Sequence, residues 1–249
     1  MRYLGTRFTP LMLSQAVALL AARKPEDGFA YVVTPNAQHV VCAAKGDARF
    51  RAPLDHAWLA PNDSRVLTRL AALARGISLP ACPGSDLTAA LFSRVIAPTD
   101  RIAIIGGDAD LAAYLASRFN LDALQHHQPI MGFITSDVAI ADCIAFAVCA
   151  RARFLFIACG APQSEQLALK ILEHGATGTA LCIGASLQFL AGQIRRAPEI
   201  WQRLGMEWLY RLIQEPRRLV RRFITGQLPV LWLAAKDAAR RACAPGRPN

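Results

Sequence analysis

Short apolar runs that stop at Gly, Pro or Asn alternate along this chain with stretches in which apolar positions recur every three to four residues. The first pattern belongs to strands buried on both faces, the second to helices with one buried stripe. Strands are predicted over Ala30–Thr34, Ala57–Ala60, Arg101–Ile105, Phe154–Cys159 and Thr179–Ile183. Helices follow over Asn36–Ala44, Ser64–Arg75, Asp108–Phe119, Pro162–Glu173 and Ser186–Leu190, with a further one over Asp86–Val95 behind Gly84 and Ser85. The alternation specifies an α/β sheet with helices on its faces, whose ligands bind beyond the carboxyl ends of the strands. The apolar stretch before Lys24 is interrupted by Ser14 and Gln15, and reads as a helix opening the domain rather than a targeting segment. No stretch supplies the roughly 20 uninterrupted apolar residues of a membrane span.

The pattern changes at Arg195, after which no strand is predicted. Trp208, Leu209, Leu212, Ile213, Leu219, Val220, Phe223 and Ile224 form one apolar stripe, with Arg211, Arg217, Arg218, Arg221 and Arg222 mostly off it. A new helix is expected at Pro216, and Pro229–Ala235 with Lys236, Arg240 and Arg241 makes a further amphipathic segment. The chain therefore divides into a core, 1–194, and a helical appendage, 195–249. Charge follows the same division: 28 Lys and Arg against 18 Asp and Glu give +10, of which residues 1–194 hold +2 and residues 195–249 hold +8. At 249 residues and 53% hydrophobic, the chain has ample material for a core, which excludes disorder. Seven cysteines without a CxxC pair read as reduced core thiols of a cytosolic protein.

Several strand ends carry candidate chemistry. Thr34, Pro35 and Asn36 either contact a sugar or phosphate or simply cap a helix. Asp63 stands where a general base belongs, although Asp is also a common N-cap, and the residues alone favour the cap. Gly106-Gly107-Asp108 lacks the third glycine of a dinucleotide fingerprint; Asp108 and Asp110 suit a helix start better than a metal site, and the glycines allow close approach of a phosphate. His126 and His127, leading to Gly132, read as a binding loop rather than a metal pair. Gly160 to Glu165 and Gly184-Ala185-Ser186 each place backbone N–H groups at a helix start, an arrangement suited to a pyrophosphate. Cys159 reads as an inert strand-end thiol.

Taken in order, Thr34 to His39, Pro83 to Leu87, Ile104 to Gly107, His126 to Phe133, Gly160 to Glu165, Arg195 to Pro198 and above all Gly205 to Arg222 resemble the WecG/TagA/CpsF glycosyltransferases. The resemblance implies a Rossmann-like open twisted sheet with an arginine-rich C-terminal appendage. It implies inverting, metal-independent transfer, with no cofactor, from a UDP-sugar to an undecaprenyl-pyrophosphate-linked acceptor at the cytoplasmic membrane face. Asp63 matches the family's catalytic aspartate, within Asn62-Asp63-Ser64-Arg65 where an Asp-Gly pair is usual. Thr34, Asn36, Gly107, Gly132, Gly160, Gln163, Ser164, Glu165, Gly184 and Ala185 are expected around donor and acceptor; Gln163 and Ser164 replace the Lys and Gln of the usual turn. Arg211, Arg218 and Arg221 match arginines that reach the diphosphate, leaving Arg217, Arg222, Lys236, Arg240 and Arg241 for an anionic membrane.

The implied function is hexosyl transfer in exopolysaccharide or related cell-surface glycan assembly, from glucuronic acid, N-acetylmannosamine-type or related donors, with a leaning toward the xanthan-type glucuronosyltransferase branch. The protein is expected as a peripheral membrane enzyme of the cytoplasmic face, with a homo-oligomer left open. A second reading is a non-catalytic nucleotide-binding or scaffold subunit of a glycan-assembly complex. Nucleic-acid binding rests on net charge alone and is set aside, since no recognisable nucleic-acid motif accompanies the arginines.

Overall fold

The computed structural model describes residues 1–194, 201, 209–210, 226 and 228–242. A two-stranded hairpin, β1 (Arg2–Tyr3) and β2 (Thr6–Arg7), opens the chain, followed by α1 (Leu13–Ala22), β3 (Ala30–Val33), α2 (Ala37–Ala44), α3 (Ala48–His56), α4 (Arg65–Arg75) and α5 (Gly84–Arg94). Then come β4 (Arg101–Ile105), α6 (Ala109–Phe119), β5 (Ala123–His127), α7 (Asp137–Ala150), β6 (Phe154–Ile157), α8 (Gln163–Leu172), β7 (Thr179–Cys182) and α9 (Ser186–Leu190). The last described helix is α10 (Leu228–Ala242).

Five strands form one parallel sheet in the order β3-β7-β6-β4-β5. Alternate side chains of each inner strand enter two separate cores. Ala103, Ile105, Leu155, Ile157, Ala180 and Cys182 pack against α3, α7 and α8, whereas Ile102, Ile104, Phe154, Phe156 and Leu181 pack against α1, α5, α6 and α9. Burial on both faces is why these strands read as unbroken apolar runs. A third core joins the N-terminal hairpin, α2 and α4 to α10 through Tyr3, Phe8, Val40, Val41, Leu67, Ala71, Val230 and Ala234. The Arg75 guanidinium clamps Asp237 of α10 at 2.6 Å. The α/β expectation, with helices on both faces of an open sheet, is therefore met.

Three of the expected elements take another form, and β1, β2, α3 and α7 are additional to the sequence reading. Ala57–Ala60 does not form a full strand: Trp58 donates to Tyr31 O and Val33 to Leu59 O, leaving one isolated bridge before Pro61. His126 and His127 belong to edge strand β5, not to a loop; the loop begins at Gln128. Helix α5 starts at Gly84, two residues before the expected Asp86.

Candidate active site

The strand order reverses between β4 and β6, because β4 continues to β5 on one side while β6 continues to β7 on the other. Turns leaving the carboxyl ends line a crevice at such a reversal. Gly106 shows why its residue type is required: at φ +96°, an added Cβ would stand 2.9 Å from the carbonyl carbon of Ala158 and 3.0 Å from Cys159 Sγ. The turns after β4 and β6 thus approach as closely as backbones can. Cys159 Sγ donates to Ile105 O, and burial pushes this thiol up to about 12, which removes it as a nucleophile near neutral pH. Asp108 caps α6 by accepting Leu111 N–H at 2.8 Å, while Asp110 is exposed in its first turn. Among the described residues no three His, Cys, Asp or Glu side chains converge on one point.

A second group of residues gathers around the ends of β3 and β7. Ser64, not Asp63, caps α4, its hydroxyl accepting Leu67 N–H, so the cap reading of Asp63 is overturned. Asp63 instead accepts Gly84 N–H through Oδ1 at 2.8 Å, and its own N–H donates to Pro35 O at 3.0 Å. The carboxylate therefore sits at the start of α5, where the helix dipole complements negative charge. A Cβ on Gly84 would lie 2.9 Å from Thr34 Oγ1 and 3.6 Å from Ser186 Oγ, which brings Thr34, Asp63, Gly84 and Ser186 onto one spot. Sequence reading placed Ser186 in a turn after β7 and Gly84 in the Pro83 to Leu87 motif, but did not bring the two together with Thr34 and Asp63. Asn36 caps α2, its Oδ1 accepting Gln38 N–H at 3.0 Å, while remaining partly exposed.

The turn after β6 divides its expected contacts. Gly160 and Gln163 are partly exposed, but Ser164 is 1% exposed, its Oγ accepting Cys159 N–H at 3.1 Å, and Glu165 is 5% exposed. Ser164 and Glu165 thus shape the turn from within. Gly184 and Ala185 are partly exposed ahead of α9, and Gly107 is partly exposed after β4. Gly132, at φ +77°, caps a short 3-10 turn beyond edge strand β5, with exposed Ile130 and Met131 before it. Lys236 and Arg240 lie on the exposed side of α10, and Arg241 belongs to its last turn. Arg211, Arg217, Arg218, Arg221 and Arg222 lie outside the described residues.

One described position links that region to the site. Gly226 is buried against Gln38, the second residue of α2, with an added Cβ 3.5 Å from its N, Cα and Cβ. The backbone at Gly226 therefore lies beside the turn that holds Asn36. The sequence model of the WecG/TagA/CpsF glycosyl transferase family matches residues 1–244.

Proposed function

We propose, for a chain that belongs to the WecG/TagA/CpsF glycosyl transferase family and hence to the enzymes of cell-surface polysaccharide biosynthesis, an inverting, metal-independent transfer from a UDP-sugar to an undecaprenyl-pyrophosphate-linked acceptor. Asp63 is the general base. The observation that carries this role is its placement: Gly84 N–H and Pro35 O hold it at the strand ends, partly exposed and beside Thr34. The acceptor hydroxyl loses its proton to Asp63 as its oxygen attacks the anomeric carbon, and UDP leaves from the opposite face of the sugar. A positioned base contributes about 10²- to 10⁴-fold to such a step.

The leaving diphosphate gathers negative charge, which backbone N–H groups and guanidinium forks stabilise without a cation. The turns at Gly107, Gly160–Gln163 and Gly184–Ala185 supply the former in this reading, with Gly132 at its edge. Arg211, Arg218 and Arg221 supply the latter in the same reading, which the position of Gly226 of the appendage beside α2 supports. In the division proposed here, the appendage 195–249 completes the site and docks on an anionic membrane. Outward-facing Leu228, Leu231 and Trp232 with Lys236 and Arg240 support the docking, alongside Arg217, Arg222 and Arg241. No described helix is long and apolar enough to cross a membrane.

The test is a mass-spectrometric screen of UDP-glucuronic acid, UDP-N-acetylmannosamine and related UDP-hexoses against lipid-pyrophosphate-linked saccharides, with and without EDTA. Transfer that survives EDTA is expected. Loss with EDTA and recovery with a divalent ion would remove the arginine account, and UDP binding without transfer from any donor would favour a scaffold subunit.

A further inference from the structure

The inner side of the β6 turn holds a contact that the proposed transfer does not use. Oε1 of Glu165 lies 3.1 Å from Nε2 of His39, a histidine 3% exposed in the first turn of α2 and set edge-on to Phe50. At the other end of the ring, Nδ1 lies 3.4 Å from the backbone N and 3.1 Å from Oδ1 of Asn36. Oε2 of Glu165 is buried with no hydrogen-bond partner among the described residues.

An ionised carboxylate only accepts hydrogen bonds, so with Glu165 ionised it is Nε2 that donates in this contact. A neutral ring then accepts the Asn36 N–H at Nδ1; a protonated ring donates from Nδ1 to Asn36 Oδ1. In either form one imidazole joins Glu165 to Asn36. Burying a carboxylate with half its acceptor capacity unused is costly, and a well-packed apolar pair of similar volume is often at least as stable. Fold stability is therefore a poor account of the pair. What it links is more telling: the turns that leave β3 and β6, strands separated in the sheet by β7.

We infer that His39 is a positioning residue for sugar transfer. It fixes the Asn36 turn in register with the β6 turn, and through Pro35 O the register reaches the Asp63 backbone. Histidine does here what orienting partners do behind other reactive groups: it holds the angle of the Asn36 side chain and backbone in front of it. The inference rests on reading these turns as the donor and acceptor pocket.

His39→Leu removes both ring contacts, and His39→Gln keeps a donor toward Glu165 only. Transfer is followed with the same UDP-sugar panel, and the Asn36 and Glu165 backbone amides by NMR, with UDP as the titrated probe. The expected result is a kcat lowered about tenfold or more in His39→Leu, donor KM within threefold, and partial recovery of kcat in His39→Gln. The amides of Asn36 and Glu165 are expected to shift together in both variants. A kcat within twofold of wild type in the folded variants, or Asn36 and Glu165 amides that do not shift together, overturns the inference. Should the wild-type protein transfer no sugar, the functional reading fails by itself, while coupled or uncoupled amide shifts still decide whether His39 links the two turns.

Discussion

Asp63 accepts the first backbone N–H of α5, that of Gly84, at 2.8 Å, so one carboxylate oxygen is fixed by a helix start that belongs to a different part of the chain. An amide retains an acceptor oxygen for this bond but has no basicity to take a proton. Asp63→Asn is therefore expected to keep its fold and its affinity for UDP within a few-fold while sugar transfer drops about 10²- to 10⁴-fold. Calorimetric UDP titration alongside a UDP-release assay checks both halves. Transfer at the wild-type rate would take the base role from Asp63.

The same spot cannot accept a methyl group. In Gly84→Ala the new Cβ meets Thr34 Oγ1 at 2.9 Å, and either the Thr34 hydroxyl or the start of α5 must move. Over-packing of this kind costs about 1–3 kcal/mol. Reduced transfer is expected together with a lower thermal midpoint, measured by differential scanning fluorimetry and UDP release.

Alkaline pH should destabilise the fold through its buried thiols. Burial pushes Cys82 and Cys159 up to about 12, Cys143 to about 11, and Cys182 well above its ordinary value. The unfolded chain ionises these thiols near pH 8.5–9 while the folded chain keeps them protonated, so stability is complete below that range and falls as pH rises toward 11–12. Each such thiol steepens the loss by about 1.4 kcal/mol per pH unit within that window. Urea midpoints at pH 8 and pH 10 test the sign, and a midpoint that rises would contradict it.

Arg75 and Asp237 tie the last helix to α4. With both side chains about four-fifths buried, Asp237→Ala is expected to cost about 1–2 kcal/mol and to open α10 to proteolysis before the sheet. Limited trypsin digestion read by mass spectrometry tests the order of cleavage.

The outer face of α10 makes a separate claim. Trp232 is 61% exposed with Lys236 Nζ 4.7 Å from its ring, and Leu228 and Leu231 flank it. Trp232→Glu with Lys236→Gln is expected to reduce co-sedimentation with anionic vesicles several-fold and to leave neutral vesicles weakly bound throughout. Equal binding of both proteins to anionic vesicles would assign the membrane contact elsewhere.

How far sequence carried the fold depended on burial. Strand β4 was legible to the residue because Arg101–Ile105 is apolar on both faces and stops at two glycines. Its edge neighbour β5 was not, because Ala-Leu-Gln-His-His is half-buried at every position and alternates in neither manner. Helix α3 hid behind Pro53 and four charged or imidazole side chains, and α7 behind near-uniform apolarity, which leaves no stripe to detect. At the site, Asp63 was found by resemblance, yet its freedom from capping α4 needed coordinates, since Asp and Ser stand side by side and either caps well. His39 was visible in principle. Three residues after an N-cap Asn, on a helix otherwise of Ala, Val, Cys and Gln, a histidine has few reasons to be there.

The contact of Gly226 with Gln38 changes what α10 is to the rest of the molecule. Asp237 of that helix is clamped by Arg75 of α4, Val230 and Ala234 are buried in the core shared with the N-terminal hairpin, and the backbone at Gly226 rests on α2. The last described helix is therefore part of the body and not a pendant, so its outward Trp232 keeps one bearing relative to the strand ends, and any surface that Trp232 meets is met by the catalytic crevice at a set angle.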